Sequence, residues 1–191
     1  IRKDGYPKWL QMTGLIHDLG KILYLKGYDE DGTTVKEQWG IVGDTFIVGC
    51  EIPDSVVFPE FNELNPDSIN PKYNTKYGIY KKNCGLDNTI CSFGHDEYLY
   101  QLLQYNRKEG LCNLPDEALT IIRYHSLYPW HKENEYKHLM NEKDKKRLRL
   151  VKMFNKYDLY TKKDENIDLN SLKRYYDDLI GMFFPKRYIC Y

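Results

Sequence analysis

The sequence predicts an all-α domain, and three observations carry that reading. Five segments place apolar residues at three- and four-residue steps. Strand-like alternation is almost absent. His or Asp side chains stand on, or at the end of, the apolar stripes of four segments, the way helical bundles build metal sites. The expected architecture is a helical bundle with long irregular loops around a di-metal site. Its 191 residues suit one domain, 1–191, with a single core.

The first predicted helix runs from Pro7 through Lys26, with Trp9, Met12, Ile16, Leu19 and Leu23 on one stripe. Pro7 suits a first turn and Gly27 the position just past the end. A second stripe holds Gly14, His17, Asp18 and Lys21. Leu15, Ile16, Leu19, Ile22 and Leu23 surround the His-Asp pair, so the pair is expected in the core. A buried carboxylate beside a buried imidazole is costly unless both are compensated, and a metal ion compensates both. Gly14 is expected to admit a close neighbour, either a helix or a ligand.

Residues 27–38 read as an exposed polar loop. Residues 39–92, rich in Gly, Pro, Asn and Asp, read as loops with short helices or strand pieces. Such a length of irregular chain often forms a lid or a site wall. A helix follows over 93–109, with His95, Leu99, Leu102 and Asn106 on one face, Asp96 and Glu97 in its first turn, and Gly110 ending it. Pro115-Asp116-Glu117 opens the next, whose stripe is Ala118, Ile121, Ile122 and His125. Residues 144–160 align Val151, Phe154 and Asp158. The last helix, 171–183, carries Leu172, Tyr175, Tyr176, Leu179 and Phe183 and stops before Pro185.

Bulk properties exclude several classes. Lys plus Arg and Asp plus Glu both number 28, so no charge imbalance points to nucleic acid or membrane. No apolar run approaches the ~20 residues of a membrane span, and the first residues lack the apolar core of a signal peptide. The five cysteines, Cys50, Cys84, Cys91, Cys112 and Cys190, include no C-x-x-C pair and fit a reducing cytoplasm. The chain starts at Ile1 rather than Met, so an N-terminal portion is expected to be missing.

The expected metal ligands are His17, Asp18, His95, His125 and Asp158. Taken singly, a His on an apolar stripe is more often a hydrogen-bonded core residue, and Asp158 can instead pair with Lys162 one turn on. Placed together on successive helices, they point to a metal. Imidazole and carboxylate without thiolate suit iron, manganese or zinc. Lys21, one turn after His17, points toward the same site. Gly43-Asp44-Thr45 reads as a turn or a wall for a polar ligand, and Ser126 follows His125 at a helix end. His131 and His138 sit among Lys, Glu and Asn and are read as surface residues.

The His-Asp pair in an all-α setting resembles the HD-domain superfamily. The likeness goes further in Leu15-Ile16-His17-Asp18-Leu19-Gly20-Lys21, Val42-Gly43-Asp44-Thr45-Phe46 and Gly94-His95-Asp96-Glu97-Tyr98. It continues in His125-Ser126-Leu127-Tyr128-Pro129-Trp130-His131 and in Phe154-Asn155-Lys156-Tyr157-Asp158-Leu159-Tyr160-Thr161-Lys162. These blocks, in this order over nearly the whole chain, resemble the myo-inositol oxygenase family.

The resemblance implies a cytoplasmic di-iron enzyme, expected as a monomer, that uses O₂ to cleave the C1–C6 bond of myo-inositol to D-glucuronate. It implies His17, Asp18 and Asp158 on one iron and His95 and His125 on the other, with Asp18 bridging a mixed-valent Fe(II)/Fe(III) pair. Lys21, Gly43, Asp44, Ser126 and Lys162 match substrate-holding positions, and Lys21 is the expected proton-handling residue. The family has a further histidine ligand and further substrate contacts upstream, where this chain has no counterpart. Its connection corresponding to 27–38 is shorter. The alternatives are an HD-type metal-dependent phosphohydrolase, and a non-catalytic fragment that keeps the fold without a complete metal site.

Overall fold

The computed structural model describes residues 1–25, 43–158 and 168–190. Its elements are α1 (Lys8–Ile16), a 3₁₀ segment (Leu19–Leu25), β1 (Ile47–Val48), β2 (Ile90–Cys91), α2 (His95–Lys108), α3 (Asp116–Tyr124), α4 (Tyr128–His131), α5 (Glu142–Asp158) and α6 (Leu169–Phe183). The strands form one short antiparallel pair, Ile47 opposite Cys91 and Val48 opposite Ile90. The fold is all-α, with the pair pinning the irregular 43–92 region to the start of α2. That region otherwise carries short 3₁₀ turns at Pro59–Leu64, Pro66–Ile69 and Leu86–Asn88.

The main core joins α1, α2, α3 and α6 through Met12, Ile16, Leu99, Leu103, Ile122 and Leu179. A second cluster packs the strand pair under α4 and α5, around Ile47, Cys91, Leu127, Trp130 and Val151. Leu10, Ile121 and Phe154 connect α1, α3 and α5. The Asn106 side chain donates to the carbonyls of Leu102 and Cys190 and accepts from the Cys190 N–H, tying the C-terminal strap to α2. Asp168 caps α6 by accepting from the N–H groups of Asn170 and Ser171.

The first helix departs from the expected Pro7–Lys26. The α-helix stops at Ile16, and after His17-Asp18 the chain winds as a tighter 3₁₀ segment. Contact with α2 accounts for the change. A Cβ on Gly20 would lie 1.9 Å from the His95 carbonyl oxygen, so the backbone itself abuts the start of α2. Leu15 and Leu19, on either side of the break, face outward, each about half exposed (50% and 45%), against the expectation of burial. At Gly14 the close neighbour is the Ile1 side chain, 2.7 Å from where a Cβ would sit, rather than a partner helix. Gly27 and the loop 27–38 lie outside the described residues.

Candidate metal centre

His17 and His125 occupy equivalent positions, as the C-caps of α1 and α3. Each ring reaches back to a carbonyl of the last turn: His17 Nδ1 lies 3.1 Å from Gly14 O and His125 Nδ1 2.9 Å from Ile122 O. A carbonyl only accepts, so Nδ1 carries the proton in both rings, and in a neutral ring Nε2 presents a lone pair inward. His95 enters from the first residue of α2 and Asp158 from the last of α5.

These groups converge. The Nε2 atoms of His95 and His125 are 3.1 Å apart. Asp18 Oδ1 lies 3.3 Å from His95 Nε2 and 3.5 Å from His125 Nε2. Asp18 Oδ2 lies 3.8 Å from His17 Nε2 and accepts from Lys21 Nζ at 2.7 Å. His17 Nε2 meets Asp158 Oδ1 at 3.1 Å. One ligand atom from each of His17, Asp18 and His125 falls within a mutual 4.8 Å.

The donor set fits a cation. Asp18 Oδ1 is buried and lacks a well-aligned hydrogen-bond donor. Lone pairs face lone pairs at His17–Asp158 unless a proton or a metal lies between them. Burial raises the Asp18 carboxyl, but His125, His95, Lys21 and His17 outweigh it and hold the group well below the usual carboxylate range. Burial works against charging His17, and the carboxylates of Asp158 and Asp18 outweigh it, so the imidazole titrates above its ordinary value. Asp158 is lowered, its burial outweighed by His17 and His125. The five cysteines are all free thiols, and none joins the cluster.

Asp18 departs from the expected full burial, since its side chain is 43% exposed and only Oδ1 turns inward. Lys21 is similarly half exposed and stands beside Asp18. Asp44 is half buried, its carboxyl raised by burial against the opposing charge of Lys132. The adjoining Thr45 is fully buried and fastened twice: its hydroxyl donates to Asp96 Oδ2, and its N–H donates to Ser126 O at 3.0 Å. Ser126 Oγ lies 3.3 Å from His95 Nε2. Gly43-Asp44-Thr45 is thereby keyed to both the His95 and the His125 segments. Lys162 lies outside the described residues.

His131 overturns its assignment to the surface. It is 2% exposed, and its Nε2–H donates to His125 O at 2.8 Å. Burial pushes its imidazole down to about 4, so it sits there neutral. The charged neighbours Lys132 and Glu133 disguised it, while Pro129 at the start of α4 was the available sign of a short helix turning that histidine inward. His138 does lie nearer the surface, donating to Lys76 O at 2.6 Å. The Tyr128 hydroxyl, 3.4 Å from Asp158 Oδ2, also escaped sequence reasoning; burial raises its pKa and keeps it a donor.

The all-α scaffold brings three histidines and two aspartates from four segments to one point, a donor set that could hold a metal ion. The chain belongs to the myo-inositol oxygenase family, whose sequence profile matches residues 1–191. It is 51% identical over 188 residues to the inositol oxygenase of Dictyostelium discoideum, covering 97% of this chain and 61% of that protein. Identity to the inositol oxygenase of Danio rerio is 49% (97% and 63% covered), and to inositol oxygenase 1 of Arabidopsis thaliana 48% (98% and 58%). The chain thus spans about three fifths of the length of these curated relatives. Among the described residues, no helix is long and apolar enough to cross a membrane.

Proposed function

We propose that this chain is the metal-binding core of an inositol oxygenase that cleaves myo-inositol with O₂ to D-glucuronate. The observation that carries the reading is the convergence of His17, Asp18, His95, His125 and Asp158. Asp18 directs one oxygen toward His95 and His125 and the other toward His17, so it would hold metal together with both groups of ligands. His17 and Asp158 complete one side and His95 and His125 the other. The metal is a mixed-valent pair of iron ions, which when bound supply Lewis acidity and one-electron chemistry with O₂.

The chain's own residues bind and orient the substrate. Lys21 holds or accepts a proton at a substrate hydroxyl beside Asp18. Gly43, Asp44 and Ser126 form the wall that takes further hydroxyls, with the Asp44 carboxylate accepting from them, and Lys162 adds a cation. The reading includes one HD-like domain over residues 1–191, a monomeric and cytoplasmic chain, and no nucleic-acid or membrane partner. The balance of 28 acidic and 28 basic residues supports that last point.

Incubation with Fe(II), a thiol reductant, O₂ and myo-inositol tests the proposal, with glucuronate as the expected product. Phosphate release from phosphoesters without glucuronate would make the protein an HD-type phosphohydrolase. Iron analysis addresses the alternative of a non-catalytic fragment that keeps the fold without a complete metal site: two irons per chain are expected, and none would support that alternative.

A further inference from the structure

A cleft of about 260 Å³ opens between α2, α3 and the start of α5 and shares no residue with the candidate metal centre. One water needs about 10–15 Å³, so the cleft admits a group of several heavy atoms. Arg107, Arg123, Lys143 and Arg147 face it together with the carboxylates of Asp87 and Asp116, a lining of four cations and two anions. Glu97 and Asp144 stand behind that lining. Glu97 is taken by Arg123 Nε at 2.7 Å and Gln101 Nε2 at 2.9 Å. Asp144 is taken by the N–H groups of Leu86 and Asn141 at 2.9 and 3.0 Å.

Counting these two, the neighbourhood is neutral, and what it holds in excess is donors. A guanidinium carries five N–H donors and an ammonium three. Arg107 spends Nη1 on Asp116 Oδ1 at 2.6 Å. Arg147 spends Nη1 on Asp87 at 2.7 Å and Asp144 at 3.3 Å. Lys143 gives one bond to Asp87 at 2.9 Å. Among the described residues, the Nε and Nη2 groups of Arg107 and Arg147 meet no acceptor. The buried Tyr124 hydroxyl accepts from Arg123 Nη1 at 3.2 Å and keeps its own proton to donate.

We propose that this cleft binds a phosphate dianion, free or as the phosphomonoester of a small molecule. A tetrahedral oxyanion supplies the acceptors that the unspent guanidinium donors of Arg107 and Arg147 lack, in a cleft that both side chains line.

Calorimetric titration of the full chain with inorganic phosphate, and separately with glycerol phosphate at matched ionic strength, tests this. Saturable binding of at least one is expected; preference for the first marks free phosphate as the ligand, and preference for the second marks an organic phosphate. Binding should persist after metal is removed with a chelator. Arg107→Gln combined with Lys143→Gln changes two partly exposed side chains and should weaken affinity tenfold or more while the melting transition stays cooperative. The proposal is overturned by no saturable binding of either probe, by equal affinity in the double variant, or by binding that disappears with the metal.

Discussion

His95 Nε2 and His125 Nε2 face each other across 3.1 Å, with Asp18 Oδ1 within 3.5 Å of both. His125 donates its Nδ1 proton to Ile122 O, so in the neutral ring its Nε2 has only a lone pair to offer. A divalent cation relieves this crowding of acceptors. Ligand at 100 times its dissociation constant stabilises a fold by about 2.7 kcal/mol. For a chain this size that corresponds to a rise in Tm of roughly 5–11 °C. Anaerobic titration with Fe(II) should produce the rise in the unmodified chain and little of it in His125→Ala. An unchanged Tm on metal addition would remove the centre from the structure's account.

The Thr45–Asp96 contact joins the 43–45 turn to α2 in a fully buried setting. Asp96 also accepts the Glu97 N–H at 2.8 Å, so its carboxylate satisfies two donors. Thr45→Val strips one donor from a buried carboxylate whose pKa burial already raises. The expected cost is about 1–3 kcal/mol, measured by urea unfolding. Asp96→Ala orphans both donors and should cost at least as much. Substitutions that both cost under about 0.5 kcal/mol would show the turn to be held by the Thr45 N–H to Ser126 carbonyl bond alone.

Gly20 sets how closely the 3₁₀ segment approaches α2. Because a Cβ there would sit 1.9 Å from the His95 carbonyl oxygen, Gly20→Ala must push two backbones apart. Overpacking of this kind costs about 1–3 kcal/mol. The displacement also moves Asp18 relative to His95, so metal affinity should fall along with Tm. Retained affinity in the variant would mean that the segment yields without disturbing the centre.

The periodic helices were legible because apolar spacing survives any detail of packing. The stripe His95, Leu99, Leu102 and Asn106 is the buried face of α2, and Ala118, Ile121, Ile122 and His125 is that of α3. The break at His17-Asp18 was not legible, because apolar steps of three and four serve an α-helix and a 3₁₀ segment alike. What decides between them is Gly20 against the His95 carbonyl, a tertiary contact. The five clustered side chains were anticipated for a related reason: costly polar groups on apolar stripes must meet a compensating partner. His131 was missed because its burial comes from α4, four residues long and too short to show a period.

Asp87 lies at the junction of Lys143 and Arg147, bonded at 2.9 and 2.7 Å. Burial raises its carboxyl, and the two cations outweigh it, so its folded-state pKa is lowered. A lowered carboxylate contributes stability that is fully present above its unfolded value near 3.9 and is lost as pH falls through the folded value. With its side chain 38% exposed, solvent screening holds the contribution to about 0.5–1 kcal/mol. Asp87→Asn should therefore be less stable than the parent at pH 7, with the gap closing below about pH 4. A gap of constant size from pH 7 to pH 3 would contradict the ion-pair account.

Lys21 and Asp158 stand on the two sides of Asp18 and His17 and should separate chemistry from metal binding. Lys21 touches Asp18 Oδ2 at 2.7 Å but no imidazole, and its side chain is 40% exposed. Lys21→Ala removes a cation beside the carboxylate while leaving every nitrogen and oxygen of the donor set in place. Iron content should stay at the parent's level while glucuronate formation is lost. Asp158 meets His17 Nε2 at 3.1 Å and the Tyr128 hydroxyl at 3.4 Å. Asp158→Ala should lower iron occupancy itself, read by metal analysis before any assay of turnover. Normal turnover in the lysine variant would make Lys21 a surface ion-pair partner only. Full iron occupancy in the aspartate variant would reduce Asp158 to a hydrogen-bond acceptor that orients His17.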